Sequence, residues 1–285
     1  MPTRRLLIRA AATALASLPG RSFAGPSPGS NPAQAPWSDA ASGYKLVKNW
    51  DFVTSIRDIK ALQGEFHTRY IYGNGSTDHL NDEWTRYRDH RNHVFTPQGL
   101  SLVARLVGEL TPGNIESGML RSRWTAQYGV FEIRMKVPAA LGMLSAFWLN
   151  PEDQHWPPEI DVVEVVNHSD GGSQQSYHFV HGIGVQKEPI QSKLNRKHAY
   201  APGFDYSGAF HTFAVEWQRD SLRHYVDGVQ VIERKFQWVH GDGSDAGPAH
   251  LLVNLAVGGK WPGPPASVAS FPASLLISQI RVWQR

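Results

Sequence analysis

The chain has 285 residues and no cysteine, which excludes disulfides, thiolate metal sites and a cysteine nucleophile and leaves stability to a hydrophobic core. Its formal charge of +3 comes from the first segment: Arg4, Arg5, Arg9 and Arg21 stand there without acids, and 28 basic side chains less these four leave 24 against 25 acidic ones. A near-neutral remainder excludes the broad basic field of a nucleic-acid binder.

Residues 1–24 read as an export signal. Arg4-Arg5 opens a twin-arginine pattern, a short apolar run comes next, and Ser22-Phe23-Ala24 offers small residues to a signal peptidase. That run is too short to span a bilayer, so a periplasmic or extracellular bacterial protein without a membrane anchor is expected. Residues 25–43 are mostly Gly, Pro, Ser and Ala and read as a disordered linker. Folded sequence is expected over residues 44–285, with one short helical turn near Ile56 to Leu62.

Period-two patterns dominate the rest of the chain. Leu100, Leu102, Ala104 and Leu106 alternate with more polar neighbours; so do Phe131, Ile133, Met135 and Val137, then Phe213, Val215 and Trp217, then Leu276, Ser278, Ile280 and Val282. These are half-buried antiparallel strands. Asp227-Gly228 between Tyr225-Val226 and Val229-Gln230-Val231 predicts a type I′ hairpin. Residues 250–257 are apolar on both faces, as in a central strand. Many short strands and Gly/Pro turns predict an all-β sandwich or jelly roll.

The most informative stretch is Trp156-Pro157-Pro158-Glu159-Ile160-Asp161-Val162-Val163-Glu164. Its β-branched fillers favour a strand. Glu159 and Asp161 then share a face, and Glu164 has the wrong parity. One extra residue in a β-bulge turns it back. With one residue lost to the bulge, the Cα atoms of Glu159 and Glu164 are roughly 13 Å apart, at about 3.3 Å per residue. The side chains must lean together on a concave sheet to reach the ~5–5.5 Å that a retaining glycosidase needs. Taken alone, the pattern equally fits a solvated sheet face or a calcium site.

Separated motifs extend the reading. Tyr128-Gly129-Val130-Phe131-Glu132-Ile133-Arg134, Ala146-Phe147-Trp148-Leu149, the acidic strand, Phe210-His211-Thr212-Phe213-Ala214-Val215-Glu216-Trp217, Val226-Asp227-Gly228, Asn254-Leu255-Ala256-Val257-Gly258-Gly259 with Trp261-Pro262-Gly263, and Arg281-Val282-Trp283 occur in order. Together they resemble family 16 of the glycoside hydrolases over roughly residues 45–285. The resemblance implies a concanavalin A-like β-jelly roll, two curved antiparallel sheets with a concave cleft. It implies Glu159 as nucleophile, Asp161 as its helper and Glu164 as general acid/base. It implies no catalytic metal and no cofactor, with a structural calcium in some members. The bulged signature favours the laminarinase, agarase and carrageenase side; Pro158 stands where laminarinases usually carry glycine.

The expected activity is endo-hydrolysis of a polysaccharide, a β-1,3- or mixed β-1,3/1,4-glucan first, by double displacement. A galactan or acidic exopolysaccharide hydrolase, a transglycosylase and a non-cutting lectin are the alternatives, and a monomer is expected. Trp148 and Trp156 flank the acidic strand and are expected to stack on sugar, with Trp124 and Trp261 as further candidates. Trp217 and Trp283 are expected in the core. His178 and His181 lie on a neighbouring strand over residues 176–182, on opposite faces, and His181 is the favoured sugar or Asp161 partner. Asn254 is either a cleft donor or a buried structural amide. Arg86, Arg88, His90, Arg91 and His93 form a basic cluster, which marks either subsites for an acidic polymer or a solvated loop.

Overall fold

The computed structural model describes residues 35–72, 75–168, 172–182 and 199–285. The expected export signal, residues 1–24, and residues 25–34 of the expected linker lie outside them. The elements run β1 (Lys45–Asp51), α1 (Ile59–Glu65), β2 (Phe66–His67), β3 (Tyr70–Tyr72), β4 (Gly75–Thr77), β5 (Thr85–Tyr87), β6 (His93–Thr96) and β7 (Gly99–Leu106). Then come β8 (Ile115–Ser117), β9 (Met119–Ala126), β10 (Gly129–Lys136), β11 (Met143–Pro151), β12 (Glu159–Asn167), β13 (Ser176–Tyr177), β14 (Val180–His181) and β15 (Ala199–Tyr200). The chain finishes with β16 (His211–Gln218), β17 (Ser221–Val226), β18 (Val229–Lys235), β19 (Ala249–Val257) and β20 (Ala273–Gln284).

Among the described residues these strands form two stacked sheets. One has the order β18-β17-β16-β10-β20-β7-β8-β5, with β1 and β6 alongside. The other has the order β15-β13-β12-β11-β19-β9-β2, with β14 against β12. Pairings are antiparallel except β5 with β8, and β3 and β4 make a separate small ribbon. The jelly-roll sandwich read from the sequence is the fold observed.

Alternation explains the core. Phe131, Ile133 and Met135 of β10 meet Leu251, Val253, Leu255 and Val257 of β19 in one buried cluster with Phe213, Val215 and Trp217. The opposite residues of β19, including Leu252, Asn254 and Ala256, are also buried, so this strand is covered on both faces. Burying each such Val, Leu, Ile or Phe contributes about 1.5–3 kcal/mol. Asp227 and Gly228 both adopt positive φ, 48° and 79°, as the predicted hairpin turn requires.

Three expectations change. The helical turn starts three residues late, because Asp51 closes its own turn onto Val53 and Thr54 and Asp58 caps the helix at Ala61. The linker reading fails over residues 35–43. Trp37 is buried against Tyr225 and Trp283 on the outer face of the larger sheet, in a second apolar cluster with Val130 and Ala214. One large side chain anchors a segment whose composition otherwise favours disorder. The neighbouring strand expected over residues 176–182 is two short pieces, β13 and β14, broken at His178 and Phe179. Among the described residues no helix is long and apolar enough to cross a membrane.

Candidate active site

The bulge lies in β12. Asp161 pairs with Trp148 of β11 and Val163 with Phe147, so Val162 is the extra residue. Ile160, Val162, Val163 and Val165 all enter the core. Two consecutive inward valines reset the alternation. Glu159, Asp161 and Glu164 consequently line one cleft of about 590 Å³ on the exposed face of the smaller sheet.

Electrostatics in this cleft are strained. Burial, then the charge of Asp161, with Glu164 behind, pushes the Glu159 carboxyl well above the usual range. Burial and Asp161 do the same to Glu164. Two features favour the charged form of Glu159: the Trp156 indole N–H donates to its Oε2 at 2.6 Å, and the His181 imidazole lies close. His181 Nε2 stands 3.3 Å from Asp161 Oδ2. Burial alone would lower that imidazole, but its bond to Asp161 and the nearby Glu159 charge push it up to about 9. Glu159, Asp161 and His181 can bring ligand atoms within 4.8 Å of one another. With the imidazole protonated near neutrality, this trio is an ion-pair network and a poor metal donor set.

The sequence candidates divide by position. Trp148, Trp156, His181, Asn254 and Trp261 all line the cleft with the carboxylates. Trp156 is half-exposed at the rim, its ring 5.8 Å from that of His181. Trp261 packs edge-on to Tyr177 and beside Phe179. The Trp148 indole donates to Asn254 Oδ1 at 2.9 Å, and the Asn254 amide donates to the Tyr87 hydroxyl at 3.2 Å. Asn254 thus serves both readings, a structural amide in the cleft floor.

Two candidates lie elsewhere. His178 is fully buried behind β12, with Nδ1 2.6 Å from the Val162 carbonyl. Burial holds its imidazole down to about 4. It turns inward because the gap between β13 and β14 faces the bulge. Trp124 packs on the core side against Trp50, ring centroids 5.9 Å apart. The β9–β19 register slips between His250 and Leu252, and Ser122 Oγ–H donates to the Trp124 carbonyl. That irregularity sends the ring away from the cleft. Three residues of the basic cluster are engaged within the protein: Arg88 meets Asp78 and Glu116, Arg91 meets Glu116, and His93 is buried with Nε2 on the Met119 carbonyl.

Pattern reading missed one wall. Tyr70, Leu80, Asp82 and Glu83 line the cleft opposite β12. Tyr87 O–H donates to Glu83 Oε2 at 2.8 Å and Leu80 N–H to Oε1 at 2.6 Å, while burial raises the Glu83 carboxyl to about 7. The only sequence signal was the aromatic content of residues 64–93, which lack a long period.

The family model for Glycosyl hydrolases family 16 matches residues 67–270. A beta-glucanase of Rhodothermus marinus is 29% identical over 184 residues, 58% of this chain and 59% of that protein. Glucan endo-1,3-beta-glucosidase A1 of Niallia circulans is 27% identical over 273 residues, 87% of this chain and 37% of that protein. The crystal structure of the laminarinase catalytic domain from Thermotoga maritima superposes with a TM-score of 0.65 at 25% identity, over 85% of this chain and 98% of that one. The chain spans between about a third and three fifths of the length of the first curated relatives it matches. By the extent of the family match and the order of its motifs, the chain belongs to family 16 of the glycosyl hydrolases.

Proposed function

We propose that this protein is an exported, endo-acting retaining glycoside hydrolase whose substrate is a β-1,3- or mixed β-1,3/1,4-glucan. The observation that carries the reading is the bulge at Val162, which gathers Glu159, Asp161 and Glu164 in one aromatic-walled cleft. The printed names of the beta-glucanase and endo-1,3-beta-glucosidase relatives favour the substrate class.

The chemistry comes from the environments. The Trp156 N–H and the nearby His181 favour the charged form of Glu159 that a nucleophile needs, and burial with the charge of Asp161 favours the protonated form of Glu164 that an acid needs. In the first step a Glu159 oxygen bonds to the anomeric carbon as the glycosidic C–O bond breaks, and Glu164 gives its proton to the leaving oxygen. In the second step Glu164 takes a proton from water, the water oxygen attacks the same carbon, and Glu159 leaves. Asp161, ion-paired to His181, adds negative charge beside both glutamates and so tunes their proton affinities. No step calls for a cofactor or metal.

A panel digest tests this. Laminarin, barley β-glucan, lichenan, agarose, carrageenan and an acidic bacterial exopolysaccharide would be incubated with the protein, and products sized by mass spectrometry. Short oligosaccharides from laminarin or β-glucan, born as the β-anomer by proton NMR, are expected. Products only from a galactan would replace the substrate class; binding without cleavage would replace the enzyme reading with a lectin. N-terminal sequencing of secreted protein tests export, with cleavage after Ala24 expected.

A further inference from the structure

The bulge that brings Glu164 into the cleft shifts the β11–β12 register at Val162, and the two backbone carbonyls flanking that residue belong to Asp161 and Val162. Both are met by buried imidazoles. His178 Nδ1 lies 2.6 Å from the Val162 oxygen. His224 Nε2 lies 3.2 Å from the Asp161 oxygen. The two rings sit 5.2 Å apart, and both residues are fully buried. They come from different sheets: His178 lies just after β13 beside the bulge, and His224 belongs to β17 of the opposite sheet, between Leu222 and Val226, which face the core. The site is built around them. Ser176 Oγ lies 3.0 Å from the second nitrogen of His178, and the Arg234 guanidinium donates to the His178 carbonyl at 2.8 Å.

We infer that His178 and His224 are a pair of positioning residues that fix the catalytic bulge from behind and thereby set where Glu164 stands relative to Glu159. A carbonyl oxygen can only accept, so each facing ring nitrogen carries hydrogen. Apolar residues at these two positions would fill the space but offer neither carbonyl a donor. Burying two imidazoles in a sandwich core makes sense if their donors are needed where the ladder is interrupted. The histidines touch no substrate. They act through the backbone on either side of Val162, the point where an ångström of slack changes the spacing between nucleophile and proton donor.

The inference rests on Glu164 being the proton donor, so the test reads that role directly. His178→Leu and His224→Leu remove the donors; His224→Gln keeps one. Active sites are counted with 2,4-dinitrophenyl 2-deoxy-2-fluoro-laminaribioside, which needs Glu159 but no proton donor. Turnover per counted site is then measured on laminarin and on 2,4-dinitrophenyl laminaribioside, with and without azide. The leucine variants are expected to lose kcat on laminarin on the order of 10²-fold, the cost of an ångström-scale misplacement, with KM near that of the unsubstituted protein. The loss should be several-fold smaller for formation of the glycosyl-enzyme from the activated aryl substrate. Azide should accelerate that substrate's turnover, and glutamine should restore part of the laminarin rate. Unchanged kcat per site, or equal losses on both substrates without azide rescue, would overturn the inference.

Nitrogen-15 NMR of the unsubstituted protein tests the pair independently of whether a leucine variant folds. His178 should carry its hydrogen on Nδ1 and His224 on Nε2; the opposite tautomer at either ring refutes the clamp. An unsubstituted protein inactive on every glucan would sink the glucan reading alone, since the tautomers are still measured.

Discussion

Replacing His181 with asparagine tests the electrostatics of the cleft through stability, independently of any substrate. The His181 imidazole is raised from 6.5 to about 9 by Asp161 and Glu159. A group raised on folding binds its proton more tightly in the native state. Its contribution is therefore complete below pH 6.5 and is lost as pH rises through about 9. At ~1.4 kcal/mol per pH unit, that interval is worth about 3 kcal/mol. This figure is a ceiling, because removing the imidazolium also makes Glu159 harder to ionise. With a urea slope of about 2–3 kcal/mol/M, the advantage over the variant should shrink by roughly 1 M in midpoint between pH 6 and 9.5. Urea unfolding followed by tryptophan fluorescence at several pH values measures it. Parallel stability curves for the two proteins across that window would refute the ion-pair network, as would an advantage that grows with pH.

Other expectations concern the same cleft. Glu159→Gln should lower turnover by at least about 10³-fold. At pH 8 it should also raise stability by about 0.5–2 kcal/mol, because a buried carboxylate beside Asp161 has been neutralised; kinetics and thermal melts on one preparation check both halves. Trp156→Ala removes a half-exposed ring and the N–H on Glu159. KM for glucan should rise about 10-fold, while stability stays within about 0.5 kcal/mol. Asn254→Leu takes the acceptor from the buried Trp148 indole and should cost about 1–3 kcal/mol in urea unfolding. At Gly258, where φ is +74°, an added Cβ would sit 2.4 Å from the Trp84 ring. Gly258→Ala should therefore destabilise by more than the ~1 kcal/mol typical of a point change.

Much of this was legible in the sequence, and the reasons differ by element. Strands such as β10 and β16 declared themselves because one face is buried and the other carries charge. The bulge was legible because two adjacent valines between carboxylates of opposite parity leave no regular strand that buries both. Aromatic type alone offered Trp124 as a candidate and could not show its direction, which follows from the register break in β9 beside it. His178 and His181 do lie on opposite faces, as their odd spacing implies, with His181 in the cleft and His178 buried behind β12. Tyr70 and Glu83 were invisible as site residues. They reach the cleft from a three-residue strand of a small ribbon and from a loop, too short for any local period. Trp37 was hidden by composition: an average over a Gly/Pro/Ser stretch conceals one anchor.

The bulge at Val162 also has a meaning in units of codons. Asp161 pairs with Trp148 and Val163 with Phe147, so an in-frame deletion of Val162 would close the β11–β12 ladder into unbroken register. On that regular strand every second residue shares a face, and the two glutamates and the aspartate would still point together. A single triplet can thus be lost from the Val162–Val163 pair without scrambling which side chains face the polymer, whereas the same step after Glu164 in β12 would invert the strand downstream. What the triplet changes is depth and spacing between the acids, along with the two carbonyls that His178 and His224 engage. The acidic strand therefore has a place, the Val162–Val163 pair, where reading-frame-preserving length change tunes the spacing of its carboxylates and spares their shared face.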